Sequence, residues 1–393
     1  MPRTGSSSRA LIAVVCVTAA LTACASGGGA SSNSSSSSSP VNIGGMGFLT
    51  GALSSYGVLV KQGMQLGVDY VNNHGGVLNG RKLQLDLQDT QSVPAQAISI
   101  ARRFATDRNI VGVVGPQGTP DLLALEPIAQ SLKLPLLAVG SVQAVDNNAS
   151  DVFRVSLVAT PGVTKTFMQH VMQTDKVKSV GLIIQNNLAP MVAESNLLSS
   201  VASSAGYMIT DTENVAPPAT DYSTQIDKII ATHPDAVYVS ATTPVNGQIM
   251  NQARARGFKG LFIGGSGLQD PGTAKIAGSS GTGYETYLPY DLSSNDALVA
   301  AFSSSFKAAY PTGEIGTQTV NAFDGVLLLA DAINRAKTVD RTAVINALSN
   351  AENVPTVEGP YTFKGNNGVN AAPALQYVYM GSDGKFTPSK PAS

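Results

Sequence analysis

From residue 41 onward, short apolar runs alternate with longer stretches whose apolar residues return every three or four positions. A run that is apolar throughout must be buried on both faces. The alternation therefore predicts parallel strands with helices packed on each side of the sheet. Val41 to Leu49 reads as a buried strand, and Tyr56 to Val71 places Val60, Met64, Val68 and Val71 at helical spacing. Lys82 to Leu87 alternates Leu83, Leu85 and Leu87, the pattern of a half-buried strand. Pro94 to Thr106 reads as a helix with proline in its first turn, Ile110 to Val114 as a strand, Pro120 to Leu132 as a helix and Leu134 to Ala138 as a strand. The pattern then restarts. Helices are expected at Thr160 to Thr174, Ala189 to Ala205, Asp221 to Thr232 and Val245 to Gly257. Strands are expected at Ser179 to Ile184, Tyr207 to Asp211, Ala236 to Ser240 and Leu261 to Gly264. Two helical stretches follow, Asp296 to Tyr310 and Thr317 to Ala336, then Arg341 to Asn350 and short strands at Tyr361-Thr-Phe and Leu375 to Tyr379. One α/β unit, a second, and a return to both imply two lobes joined by several crossings. Ligands of open α/β sheets usually bind at the carboxyl ends of the strands.

Upstream of this body, Arg3 and Arg9 precede an apolar run from Ala10 to Leu21, too short for a permanent membrane span, and Leu21-Thr-Ala-Cys24 closes it. This order resembles a bacterial lipoprotein signal over 1–23, with Cys24 the lipid-bearing residue. An ordinary cleaved signal with an incidental cysteine is the plainer alternative. Residues 24–40 are nearly all Gly, Ala and Ser and are expected to form a flexible tether. The only two cysteines, Cys16 and Cys24, fall in the leader, so no disulfide or cysteine metal site is expected in the body. Arg3 and Arg9 aside, acidic residues slightly outnumber basic ones, which argues against a nucleic-acid partner. Tryptophan is absent, which removes stacking on indole.

Several segments carry a family likeness. Phe48-Leu-Thr-Gly-Ala-Leu-Ser-Ser-Tyr-Gly57, Asn72-Asn-His-Gly-Gly-Val-Leu-Asn-Gly-Arg81, Gly115-Pro-Gln-Gly-Thr119 with Pro127-Ile-Ala, and Pro234-Asp-Ala-Val-Tyr occur in order. Ala253-Arg-Ala-Arg-Gly257, Phe323-Asp-Gly and Gly381-Ser-Asp-Gly-Lys-Phe follow. From about Val41 to about Phe386 the chain resembles the branched-chain amino-acid (Leu/Ile/Val) type substrate-binding proteins of ABC importers. The resemblance implies an α/β fold of two Rossmann-like lobes, the type I periplasmic-binding-protein fold, joined by three hinge crossings. It places the first lobe at 41–157 plus 287–355 and the second at 158–286 plus 356–388. It further implies a monomer that captures a small polar metabolite (an amino acid, amide or small carboxylate) between the lobes and delivers it to an ABC permease. A sensory lipoprotein of the same fold is the alternative reading.

Candidate binding residues follow from matching positions. Family members hydrogen-bond the ligand carboxylate from the position of Thr119, in the loop that also holds Gln117. By its residues alone Thr119 reads equally as a cap of its own helix, before Pro120. Tyr56 matches an aromatic that walls the ligand, with a packing tyrosine as the alternative. Gly140, Ser141 and Val142 match a loop of backbone contacts, in which Val142 replaces a threonine. In the second lobe Asn187, beside Gln185 and Asn186, supplies amide groups where an aromatic-glycine pair is expected. Ser266 stands where the family presents a glutamate to the ligand ammonium. A buried ammonium without a carboxylate is costly. A ligand lacking that group is therefore expected, unless Asp270 or Asp291 compensates. No cofactor or metal is expected: His74, His170 and His233 are isolated, Leu268 breaks a Gly-x-Ser-x-Gly pattern, and no phosphate loop is present. The chain is thus read as a non-enzyme.

Overall fold

The computed structural model describes residues 39–140, 151–157, 159–365, 375–388 and 390–391. The leader, Cys24, most of the tether, Ser141 and Val142 lie outside the described residues.

The first sheet contains β1 (Val41–Gly47), β2 (Leu83–Asp89), β3 (Ile110–Gln117), β4 (Leu136–Val139) and β5 (Val152–Val155), in the order β2-β1-β3-β4-β5. All its pairings are parallel. Its faces divide between two clusters, with the two-residue period of a strand in β4 and a register shift between Ile110 and Val113 in β3. Val111, Val114, Leu137 and Val139 enter one core cluster, and Ile110, Val113, Leu136 and Ala138 the other. Helices α1 (Ser54–Asn73), α11 (Thr317–Ala336) and α12 (Arg341–Ser349) cover the first face. Helices α2 (Pro94–Thr106), α3 (Gly118–Leu125) and α4 (Ala129–Leu132) cover the second.

The second sheet contains β6 (Ser179–Gln185), β7 (Met208–Val215), β8 (Ala236–Ser240), β9 (Leu261–Ile263), β10 (Glu285–Leu288), β11 (Gln376–Met380) and β12 (Phe386–Thr387). Its order is β12-β11-β10-β9-β8-β6-β7. β6 to β10 run parallel, whereas β11 and β12 pair antiparallel at one edge. Its helices are α5 (Pro161–Asp175), α6 (Ala189–Ala205), α7 (Ser223–Ala231), α8 (Thr243–Ala255) and α9 (Gly272–Ala277). Again the faces alternate: Val237 and Val239 belong to one core, Ala236 and Tyr238 to the other. Helix α10 (Ala297–Ala309) packs Phe302 and Phe306 against Leu66 and Phe323, in a cluster that also holds Leu288 and Val378.

β5 lies in the first sheet and α5 with the second, residues 289–296 lead from β10 to α10, and Phe363 packs with the first sheet while β11 belongs to the second. Two expected boundaries move. Residues 287 and 288 belong to β10 of the second sheet. Val354, Tyr361 and Phe363 pack in the core of the first sheet, because Phe363 lies against Phe153 with ring centroids 5.2 Å apart. Tyr361-Thr-Phe forms only an isolated bridge, Tyr361 with Val354, instead of a strand. The helix expected over Pro120 to Leu132 is interrupted at Glu126–Ile128 by a 3-10 turn. Pro127 lacks an N–H and its ring crowds the preceding turn. Among the described residues no helix is long and apolar enough to cross a membrane.

Candidate functional site

Two adjoining cavities of about 50 and 80 Å³ lie where the carboxyl ends of the strands of both sheets meet. From the first lobe come Phe48, Tyr56 and Thr119, with Gln318 near the start of α11. From the second come Met191, Thr242 and Ser266. Gly140, Ser266 and Gln318 border both spaces. Among the described residues, none of those lining either cavity carries a charged side chain. One end is walled by Phe48, Leu53, Tyr56, Leu188 and Met191, and the other by Ser156, Gln269, Thr317 and Asn321 together with Leu157, Ala159 and Tyr287. An apolar body with a polar head therefore matches the two ends.

Tyr56 lines the larger cavity and also spans the lobes. Its hydroxyl lies 3.1 Å from both Thr243 N and Thr243 Oγ1. The Thr243 hydroxyl donates to Asp270 Oδ2 at 2.6 Å. Its single proton being so committed, the phenol donates to Thr243 Oγ1 and accepts from the Thr243 N–H. Burial, reinforced by the Asp270 charge, pushes the Tyr56 phenol up to about 12. The phenol therefore remains a donor at neutral pH. Asp270 also accepts from Gly272 N at 2.8 Å and does not line the cavities, so it does not stand in for a ligand-binding carboxylate. Tyr56→Phe leaves the ring wall and removes the latch, exposing Thr243 N–H to a dry contact in the closed form. The expected result is a larger radius of gyration for the free protein and an affinity for any ligand lowered roughly tenfold, about 1–1.5 kcal/mol. Unchanged scattering and affinity would show that the contact does no work in closure.

Other expected residues are distributed differently. Gln117 is fully buried and sits behind the cavity wall: its Oε1 accepts from Phe48 N at 2.7 Å and its Nε2 donates to Gln318 Oε1 at 2.7 Å. Thr119 lines the larger cavity. The capping position of α3 is Gln117 and the helix begins at Gly118, because β3 runs on through Gln117. Pro120 is thus the third helical residue instead of the first. Gly140 closes both cavities with φ +64, a conformation natural to glycine. Asn187 is exposed and outside both cavities. Its Oδ1 accepts from Gln185 Nε2, and Gln185 turns inward to take Thr242 N and Thr242 Oγ1. Asp291 borders a separate cavity beside α10.

Ser266 borders both cavities, and immediately behind it lies a carboxyl that the sequence pattern did not reveal. Glu194, on α6, is buried and accepts from Ser240 Oγ at 2.6 Å, Tyr238 Oη at 3.0 Å and Ser266 N at 3.2 Å. Burial raises its pKa against these donors. It is tied into the sheet and does not line the cavities. The only advance signal for it was an acidic residue on the face of α6 that carries Met191, Leu198 and Val201. Among the described residues no group of three or more His, Cys, Asp or Glu is placed to hold a metal ion.

The periplasmic binding protein family model matches residues 40–385. The chain belongs to that family. Among curated relatives, the Leu/Ile/Val-binding protein BraC3 of Rhizobium johnstonii is 26% identical over 344 residues, covering 82% of this chain and 87% of the relative. Among solved structures, the substrate-binding protein LivJ of a branched-chain amino acid transporter from Streptococcus pneumoniae, in complex with isoleucine, superposes with a TM-score of 0.79. It is 23% identical and covers 88% of this chain and 97% of its own. The solute-binding protein of an ABC transporter from R. palustris, in complex with benzoate, gives a TM-score of 0.76 at 18% identity, covering 88% and 95%. This is the type I periplasmic-binding-protein fold, in a family of extracytoplasmic ligand-binding proteins and not of enzymes.

Proposed function

We propose that this periplasmic binding protein captures a small polar metabolite between its lobes and delivers it to an ABC permease, held at the membrane by lipid on Cys24. The supporting observation is the cavity pair itself. Its walls come from both lobes, and a hydroxyl latch of Tyr56 on Thr243 already joins them. A solute touching both walls stabilises the closed arrangement by its differential affinity, and a solute touching one wall does not. The relatives' names and the isoleucine and benzoate complexes support a solute of amino-acid or small-carboxylate size.

The charge-free lining narrows the choice. An α-ammonium would find no carboxylate among the described lining residues, and a buried ammonium left without such a partner costs several kcal/mol. Leucine, isoleucine and valine should therefore bind weakly. A thermal-shift screen of small metabolites followed by solution scattering tests the reading, because a ligand of the folded state raises the melting point by mass action. A hit is expected to lower the radius of gyration at saturation. Submicromolar titration by any of the three branched-chain amino acids would overturn the ligand assignment, and an unchanged scattering profile at saturation would overturn closure.

A further inference from the structure

We infer that Gln318 is the donor that anchors the ligand, and that the ligand presents to it a carbonyl or carboxylate oxygen on a compact apolar body without a cationic group. The inference rests on the solute-binding reading above.

The orientation of the Gln318 amide follows from a chain that begins at an unambiguous donor. A backbone N–H can only donate, so the atom of Gln117 at 2.7 Å from Phe48 N is its oxygen. The nitrogen of Gln117 then faces Gln318 at 2.7 Å, and the atom of Gln318 that meets it is also an oxygen. This leaves the Gln318 Nε2 as the outer end of the relay, on a residue that borders both cavities at their junction. Gly140 supports the amide from the side: a Cβ there would lie 2.9 Å from Gln318 Cδ, so the loop after β4 lies directly against it. Gln117 is fully buried, which holds the relay rigid. A rigid N–H donor with no charged neighbour among the described lining residues selects an acceptor oxygen and offers no carboxylate to an ammonium. The apolar wall of Phe48, Tyr56, Leu188 and Met191 then receives the remainder of the molecule. Gln318 contacts the ligand in this arrangement, and Gln117 is a positioning residue.

The test is isothermal titration of the full chain with four probes that share one carbon skeleton: 4-methylpentanamide, 4-methylpentanoate, 4-methylpentylamine and L-leucine. The amide and the carboxylate are expected to bind at least tenfold tighter than the amine. Gln318→Glu keeps the acceptor that faces Gln117 and exchanges the outer donor for an acceptor. It should lose at least tenfold for the amide and carboxylate while gaining affinity for the amine, with an unfolding midpoint close to that of the parent. Gln117→Leu, which frees the amide to rotate, should weaken the amide and carboxylate by a smaller factor. Equal or tighter binding of the amine by the parent chain, retention of amide and carboxylate affinity by Gln318→Glu, or silence of both the amide and the carboxylate would each overturn the assignment. If the amine binds and the lobes still close in scattering, the solute-binding reading survives while the anchor fails. If no small metabolite shifts the melting point, both fail.

Discussion

Acidification from about pH 8 to about pH 5 should raise the unfolding midpoint of the ligand-free protein. Burial lifts Asp121 and Asp324 to about 7 each and Glu285 to about 9. At Asp121 desolvation outweighs the nearby Thr90 hydroxyl, and at Asp324 it outweighs the Val357 and Glu358 N–H groups. At Glu285 burial is reinforced by the neighbouring Asp175 carboxylate. Glu194, Asp270 and Glu358 are shifted upward as well, each mainly by burial. The unfolded chain titrates these groups near roughly pH 4. Between that value and the raised folded ones the native state holds more protons, so stability increases as pH falls, by about 1.4 kcal/mol per pH unit for each group inside its window. Carboxylates with depressed values, Asp175 and Asp235 among them, withdraw stability only once the pH falls below the ordinary carboxyl range. A gain of several kcal/mol in chemical denaturation is expected across the interval, and Asp121→Asn should flatten the curve while stabilising the protein at the alkaline end. A midpoint that stays level or drops on acidification would refute this account.

The second large effect concerns the helix pair that carries the site. Gly63 of α1 lies against α11 so closely that a Cβ would stand 2.1 Å from the Thr319 carbonyl oxygen and 2.9 Å from Ala322 Cβ. Gly67, one turn on, meets Val326 in the same way. Backbone cannot yield as the tip of a side chain does, so the helices must separate. Gly63→Leu is expected to destabilise by about 3 kcal/mol or more, at the upper end for overpacking a core. Gly63→Ala should cost less, because alanine recovers about 1 kcal/mol of helix propensity. The loss should extend to binding, since Thr317, Gln318 and Asn321 ride on the end of α11 that borders the cavities. Denaturant titration of both variants checks this. A Gly63→Leu protein as stable as the parent would show that α1 and α11 are not held at this distance.

Much of the architecture was legible because its cause is local. The helices Pro94–Thr106, Ala189–Ala205 and Thr317–Ala336 and the strand Ala236–Ser240 occur with the bounds that periodicity predicts. Side chains on a strand or helix must sort by face, and that sorting is written at spacings of two and of three to four residues. Elements too short to show a period escaped notice: β5, β10, β12 and α9. Asp221 shows the limit of capping arguments. It accepts from Ser223 N at 2.9 Å in the turn before α7, whose capping position is Tyr222.

The site was legible only in part. Tyr56, Thr119, Gly140 and Ser266 border the cavities, whereas Gln117 stands behind the wall and Asn187 points to solvent. Gln318 and Glu194 belong to helices whose sequence signals report only which face is buried.

By itself the sequence determined the strand-helix order, the pairing of apolar faces and the scarcity of charge near the expected cleft, since each is set by neighbours a few residues away. Tertiary structure alone decided that Gln117 meets Gln318 across 201 positions, that Tyr56 meets Thr243 across 187, and that a carboxyl stands behind Ser266. The physical reason is that a polar side chain acquires its role from whichever donor or acceptor shares its dry surroundings. That partner is chosen by how the layers pack, which no local spacing encodes.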